Sequence, residues 1–192
     1  MIYLKEANFE DIEKEWQYIA AMPEDENGLT NQWPDISRED FEKTALPEII
    51  NHSKGIDMPD EVERLKTASA VFLTPSNRTR ATSGSAQVAE TFLFLWDDDT
   101  IVGLFRLRQY LNDALREGSG HIGYGIGKEY RGKGYGTKGL ALTLEYGKNI
   151  IPEDEFYLRV NKDNPASLKV MIKNGGRIVG ENDEKYFVRI KK

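Results

Sequence analysis

The chain of 192 residues carries a formal net charge of −6, and its 39% apolar and 30% charged residues fit a soluble globular protein and exclude a disordered one. It has no cysteine and two histidines, which excludes disulfides and a cysteine nucleophile and argues against a zinc site. No apolar run reaches the roughly 18 residues that span a bilayer, and the amino terminus has no signal-peptide pattern, so we expect a cytoplasmic protein.

The charge is unevenly distributed along the chain. Residues 1–65 contain 6 basic and 17 acidic side chains, whereas residues 66–192 contain 20 basic and 15 acidic ones. The net negative charge argues against nucleic-acid binding. The acidic part would attract a cationic amine such as a polyamine, an aminoglycoside or a lysine side chain, and a solvated acidic face is the alternative explanation.

The first predicted elements are a strand and a helix. Alternating side chains predict a strand over Ile2–Ala7. Asn8 is a candidate cap for a helix with apolar residues at helical spacing, namely Phe9, Ile12, Trp16, Ile19 and Ala20. The polar residues 22–33 predict a loop.

A helical insertion is predicted near residues 33–75. Ser37, with an acidic residue three positions later, predicts a helix start, and Pro47 should kink that helix. Pro59 opens a second amphipathic pattern, and the Ser- and Thr-rich residues 76–86 predict a loop.

Strands dominate the second half of the chain. Thr91–Trp96 and Ile101–Tyr110 predict a hairpin around the tip Asp97–Thr100. The three carboxylates of this tip lack the regular spacing of calcium ligands, which favours a solvated turn. The remaining predicted elements are the strand His121–Ile126, a helix over residues 137–148, the strand Phe156–Val160, a helix capped by Asn164, and a closing hairpin of Arg177–Glu181 with Tyr186–Ile190.

The segment GYGIGKEYRGKGYGTKGL, residues 123–140, contains seven glycines. A strand that ends in glycines and opens a helix presents unpaired N–H groups and the positive end of the helix dipole, which together attract phosphate. Glycine at 132, 134 and 136 lets the backbone approach phosphate oxygens, and Arg131 and Lys133 add positive charge. A tight turn without a ligand is the alternative.

Three phosphate-binding patterns compete for this segment. Residues 127–134 nearly match the Walker pattern, but Gly134 stands where a magnesium-binding hydroxyl is required. The dinucleotide pattern fails because the glycines at 123, 125 and 127 lie within a strand. The pattern [QR]-x-x-G-x-[GA] is satisfied by Arg131–Gly136, after which Thr137 begins the helix.

This last pattern, the strand IGYGI before it and VNKDNPASLKVMIKNGG after it resemble the acetyl-coenzyme A site of the GNAT superfamily of N-acetyltransferases, in particular a subgroup of predicted acetyltransferases. The likeness is strong over residues 91–192 and weak for the opening strand and helix. It implies one α/β domain over residues 1–192, with a mixed, mostly antiparallel central sheet flanked by helices. Residues 22–90 would then lie on the acceptor side.

The resemblance also implies which residues bind acetyl-CoA, the co-substrate, without a metal. The backbone of Tyr124 and Ile126 would contact the pantetheine arm, and Asn164 would approach the same arm unless it serves only as a helix cap. The pyrophosphate would be bound by Arg131, Gly132, Lys133, Gly134, Tyr135, Gly136 and Thr137.

Acetyl transfer to an amine requires a neutral amine, donors for the oxyanion and a proton for the leaving thiolate. Deprotonating a lysine-like amine at pH 7 costs about 4.6 kcal/mol. His121 is the first candidate base, with Asp113 and Glu117 in reserve. Many family members place a tyrosine acid where this chain has Met171, so Tyr124 or Tyr157 would have to substitute.

The sequence therefore predicts an acetyl-CoA-dependent N-acetyltransferase that moves the acetyl group directly to a primary amine of a small molecule or peptide. The alternative is a non-catalytic coenzyme A-binding sensor or regulatory module, and a nucleotide-binding module is a weaker rival. We expect no nucleic-acid or membrane partner, and a homodimer stays open.

Overall fold

The computed structural model describes residues 1–55 and 88–192, so the helix predicted from Pro59 and the loop predicted over residues 76–86 lie outside the described residues. The strands are β1 (Ile2–Glu6), β2 (Asp25–Glu26), β3 (Leu29–Thr30), β4 (Glu90–Asp97), β5 (Thr100–Arg108), β6 (Ile122–Ile126), β7 (Glu155–Asn161), β8 (Arg177–Glu181) and β9 (Lys185–Lys191). The helices are α1 (Ile12–Ala21), α2 (Arg38–Asp40), α3 (Leu46–Ser53), α4 (Asp113–Glu117), α5 (Tyr135–Gly147) and α6 (Pro165–Lys173), with a π-helical turn at Phe41–Ala45 and a 3-10 turn at Lys128–Tyr130.

Seven of the nine strands form two antiparallel sheets that meet at one point, and β2 and β3 form a separate hairpin. The larger sheet has the order β1-β4-β5-β6, and the smaller has the order β7-β9-β8. β6 and β7 are joined where the His121 amide donates to the Tyr157 carbonyl at 2.7 Å, and they form no ladder beyond it. This α/β architecture, with a mostly antiparallel sheet flanked by helices, confirms the predicted fold class.

Both faces of the larger sheet are covered by helices. Leu93 and Leu95 of β4 belong to a core beneath α5 and α6, whereas Phe92 and Phe94 belong to a second core beneath α1 and α3. This period of two follows from the pleat, which turns successive side chains to opposite faces. α5 lies close to the sheet, since a Cβ at Gly139 would be 2.3 Å from the Phe105 ring.

The predicted helical insertion begins as expected. The Ser37 hydroxyl accepts a hydrogen bond from the Asp40 amide at 3.0 Å and caps α2. The predicted kink at Pro47 takes the form of the π-helical turn, in which the Leu46 amide bonds the Phe41 carbonyl. Proline lacks the N–H of a regular helix, and the wider turn accommodates that loss just ahead of α3.

Residues 22–33, predicted as a loop, instead contain the β2–β3 hairpin. Its tip, Asn27-Gly28, has positive φ angles of 53° and 91°, as a two-residue hairpin turn requires. Leu29 packs over Gly123 and Gly125 of β6, where Cβ atoms would be 3.2 Å and 3.1 Å from its methyl groups. These two glycines therefore leave space for the hairpin.

Candidate active site

The edge of β6 that faces away from β5 is open. The Arg108 amide donates to the His121 carbonyl at 2.8 Å, and the Gly127 amide donates to the Val102 carbonyl at 3.1 Å. In an antiparallel ladder, alternate residues turn their backbone groups to opposite sides. The odd-numbered residues 121–127 thus face β5, and the backbone groups of Tyr124 and Ile126 point to the gap beside β7, where the resemblance places the pantetheine arm.

The glycine-rich turn presents its amides at the entrance to α5. Gly132 and Gly134 have φ angles of 76° and 90°, and no atom lies within 4 Å of a Cβ built on either. Within residues 1–55 and 88–192, the amides of residues 132–137 donate to no protein acceptor. Unpaired amides at a helix N-terminus form an anion site, and among the described residues no side chain crowds the Cβ positions of its two left-handed glycines.

A cleft of about 350 Å³ extends from this turn along β6 to the start of α6. Its walls include Gly132, Gly134, Tyr124, Asn164 and Val170. Gly136 lets α5 approach α6, because a Cβ there would be 3.3 Å from the Val170 methyl. The cleft places the turn amides and the open edge of β6 in one continuous space.

Two side chains predicted to bind pyrophosphate are directed to protein partners. The Arg131 Nε donates to the Ile126 carbonyl at 3.1 Å, and its guanidinium forms an ion pair with the Glu26 carboxylate. The Tyr135 hydroxyl donates to Asp97 Oδ2 at 2.6 Å. Tyr135 thus presents its amide at the turn and not its hydroxyl, whereas Arg131 links the turn to the β2–β3 hairpin. The Lys133 ammonium lies 5.8 Å from the Tyr130 ring centroid.

Asn164 caps α6 and also contacts the hairpin. Its Oδ1 accepts from the Ser167 amide at 3.0 Å, and its Nδ2 donates to the Asn27 carbonyl at 3.4 Å. The structure confirms the predicted cap, and the contact of Asn164 with the coenzyme arm stays a prediction.

The Tyr124 hydroxyl lies across the gap from β6 against α6. It bonds Ser167 Oγ at 2.8 Å and the Ser167 carbonyl at 3.2 Å, and the ring stacks on Phe105 at 5.2 Å between centroids. Burial raises the pKa of Tyr124 to about 12, with the Ser167 hydrogen bond acting in the opposite direction. The hydroxyl thus stays protonated. Its single proton is directed to Ser167, so donation to a negative group in the cleft would require the hydroxyl to turn away from the Ser167 carbonyl.

His121 does not face the cleft. The residue is fully buried, its Nε2 bonds Glu153 Oε2 at 3.0 Å, and its Nδ1 accepts from the Tyr157 amide at 2.9 Å. Burial lowers the pKa of His121, although Glu153 favours the charged form. The role of general base predicted for His121 has no support in this geometry, because both ring nitrogens already have protein partners.

The two reserve candidates for the base lie away from the cleft. Asp113 and Glu117 belong to α4 and do not line the cleft. Met171 is buried in the core beneath α6, beside a small cavity of about 60 Å³ that Tyr124 and Gly123 also line. Tyr124, one of the two tyrosines proposed as the acid, lines both this cavity and the cleft, whereas Tyr157 lines neither.

Sequence reasoning missed Glu26 and Asn27. A Cβ at Gly125 would be 3.3 Å from Glu26 Cγ, so this carboxylate lies directly over β6 and forms part of the cleft wall. The Asn-Gly pair at the hairpin tip is a strong local signal for a two-residue turn and could have located both residues.

The split sheet and the turn of unpaired amides beside it define an α/β protein with a site suited to an anionic ligand. Residues 36–177 match the family model of the acetyltransferase (GNAT) domain, which is more than half of the chain. The chain therefore belongs to the GNAT acetyltransferase family, whose members are acyltransferases.

Individual relatives are more distant. The spermidine N(1)-acetyltransferase of Escherichia coli K12 is 32% identical over 63 residues, and the match spans 33% of this chain and 34% of that protein. A GNAT acetyltransferase structure from Streptococcus pneumoniae aligns over 100% of both chains with a TM-score of 0.57 and 14% identity. A chimeric spermidine N-acetyltransferase based on the Vibrio cholerae protein covers 99% of this chain and 95% of its own, with a TM-score of 0.53 and 16% identity. At these identities the structural matches show the fold alone.

The described residues offer neither a membrane-spanning helix nor a cluster of metal ligands. Among residues 1–55 and 88–192, no helix is long and apolar enough to cross a membrane. The same residues contain no group of three or more His, Asp and Glu side chains that could hold a metal ion.

Proposed function

We propose that this protein is an acetyl-CoA-dependent N-acetyltransferase that transfers the acetyl group directly to a primary amine of a small molecule or peptide. The observation that carries the proposal is the set of unpaired amides at residues 132–137 in front of the open space at Gly132 and Gly134. A diphosphate fits there because the backbone supplies donors and no side chain blocks the approach.

The remaining parts of the coenzyme fit the same cleft. The open edge of β6 offers the backbone groups of Tyr124 and Ile126 to an amide-containing arm. The coenzyme's thioester supplies the acetyl group when it is bound, and its sulfur end would come near Tyr124, the residue shared by the cleft and the smaller cavity.

The transfer forms one C–N bond and breaks one C–S bond, while the amine loses a proton and the sulfur gains one. The role we assign to Tyr124 is hydrogen-bond donation to the sulfur as negative charge develops there. Full proton transfer from a hydroxyl of pKa about 12 to a thiolate of pKa about 8.5 is uphill, so donation without transfer is the role its environment favours.

We propose a cationic amine as the acceptor class. The support is the excess of acidic side chains in residues 1–65. The partial match to a protein named spermidine N(1)-acetyltransferase makes a polyamine the first member of a test panel.

A coenzyme A-binding sensor is the second candidate function. It is favoured by the burial of both His121, the expected base, and Met171, which stands where many family members have a tyrosine acid. In this case the cleft would bind the coenzyme without turnover.

One pair of measurements separates the two functions. Calorimetry tests binding of coenzyme A, and release of free thiol from acetyl-CoA is followed with spermidine, an aminoglycoside and a lysine peptide, each against a reaction without amine. Amine-dependent thiol release supports the transferase. Binding without release from a broad panel supports the sensor, and failure to bind coenzyme A rejects both.

A further inference from the structure

The junction between the two sheets depends on one residue, His121, directly before β6. Its amide donates to the Tyr157 carbonyl at 2.7 Å, and the Tyr157 amide donates back to its imidazole Nδ1 at 2.9 Å. Within residues 1–55 and 88–192, no further hydrogen bond joins the backbone of β6 to that of β7. The pair of bonds resembles one step of a ladder that does not continue.

The imidazole replaces a backbone acceptor in this step. The carbonyl of His121 is turned to β5, where it accepts from the Arg108 amide at 2.8 Å, so it cannot serve Tyr157. The side-chain nitrogen therefore satisfies a buried amide that would otherwise have no partner. Because a side chain cannot propagate a strand ladder, pairing ends here and the gap begins.

The surroundings fix the ring in one tautomer and one orientation. Phe156 and Tyr157 contact it edge-on, with centroids at 6.1 Å and 5.6 Å. Since Nδ1 is an acceptor, Nε2 carries the proton and donates to Glu153, which is also paired with Arg116 at 2.6 Å. The ring thus presents its lone pair to the Tyr157 amide and to no other group.

We infer that His121 is a positioning residue that fixes the start of the gap between β6 and β7 and so sets the width of the cleft. The inference rests on the proposed function, in which this gap holds the coenzyme arm. His121 would not touch the coenzyme, and it would act through the separation of the two strands that do.

Protonation would remove this link. An imidazolium presents an N–H to the Tyr157 N–H, so the bond that closes the junction is lost. The charged groups that face the ring are Glu153 from the loop before β7, Arg116 from α4 and Arg189 from β9, and burial outweighs the carboxylate in lowering the pKa of His121. The link is intact above the unfolded pKa of about 6.5 and is lost as the pH falls through the lower folded value.

A matched pair of variants isolates the acceptor at Nδ1. His121→Asn places an amide oxygen at the Nδ1 position and keeps the acceptor for Tyr157, whereas His121→Gln places its amide at the Nε2 position and keeps only the contact with Glu153. Both variants lose the ring. We expect His121→Gln to bind coenzyme A about tenfold more weakly than His121→Asn at pH 8, since a buried amide is left unsatisfied. The coenzyme A affinity of the wild type should fall at acid pH, and that of His121→Asn should not, because this variant has no imidazole to protonate.

Glu153→Gln is a second test that keeps a hydrogen-bond acceptor for Nε2. Removing the carboxylate charge should shift the acid-side loss of coenzyme affinity to lower pH. Equal coenzyme A affinities for the two His121 variants would overturn the inference, and so would a pH profile of coenzyme affinity that is the same in Glu153→Gln and the wild type. The proposed function would stand in either case if the wild type binds coenzyme A. If the wild type binds no coenzyme A, the proposed function fails. Hydrogen exchange at the Tyr157 amide then tests the junction by itself, and we expect faster exchange in His121→Gln than in His121→Asn.

Discussion

Replacing Gly134 with alanine tests the anion-binding turn against a control within the same chain. Gly134 has a φ of 90° and Gly175, after α6, has a φ of 81°, and a Cβ at either position meets no atom within 4 Å. Each alanine should therefore lower the free energy of unfolding by about 1–2 kcal/mol through backbone strain in the left-handed region, without a steric clash. Urea unfolding should show similar losses of stability for the two variants.

Coenzyme binding should separate the two variants. Gly134 lines the cleft, so its methyl group would take up space beside the proposed anion site, whereas Gly175 lies at the other end of α6 from the cleft. We expect Gly134→Ala to bind coenzyme A at least about tenfold more weakly, which corresponds to about 1.4 kcal/mol, and Gly175→Ala to bind like the wild type. Equal affinities in calorimetry, together with matched unfolding curves, would refute the assignment of this turn to the diphosphate.

Three further changes have defined outcomes. Tyr124→Phe removes the proposed hydrogen-bond donor to the sulfur, and thiol-release assays should show a kcat about 10–100-fold lower with a smaller change in KM. An unchanged kcat would exclude this role. Burial raises the pKa of Glu15 to about 8 from an unfolded value of 4.5, so stability should fall as the pH rises from about 4.5 through 8. Glu15→Gln should remove that decline and be more stable than the wild type at pH 9, by up to about 5 kcal/mol in urea unfolding. A pH profile parallel to that of the wild type would contradict the raised pKa. Gly139→Ala puts a methyl group 2.3 Å from the Phe105 ring and should lower the free energy of unfolding by about 1–3 kcal/mol, as measured by thermal unfolding. An unchanged stability would mean that the contact between α5 and the sheet is looser than described.

The coenzyme side of the cleft could be predicted because its determinants are local. Glycines with positive φ, an opening helix and the Asn164 cap are all encoded within a few residues of one another. Local rules relate such residues to backbone conformation without knowledge of the rest of the chain. The same holds for the β4–β5 hairpin and for the helix start at Ser37.

The chemistry of individual side chains could not be predicted because it depends on distant partners. His121 was a reasonable candidate base by residue type, but its environment comes from Glu153 and Tyr157, more than thirty positions away. Arg131 fits the phosphate pattern, yet its ion pair with Glu26 spans 105 positions. Pairings at these separations are set by the fold, and a single sequence does not reveal them.

The two-sided burial of β4 has a consequence for folding. Since Phe92 and Phe94 enter one core and Leu93 and Leu95 the other, a slip of one residue against β5 would send large rings under α5 and the smaller leucines under α1. Neither set of helices could then pack. The irregularity in the β4–β5 pairing between Leu95 and Trp96 is part of this alignment, so the register of the central hairpin determines which layer of helices each side chain of β4 meets.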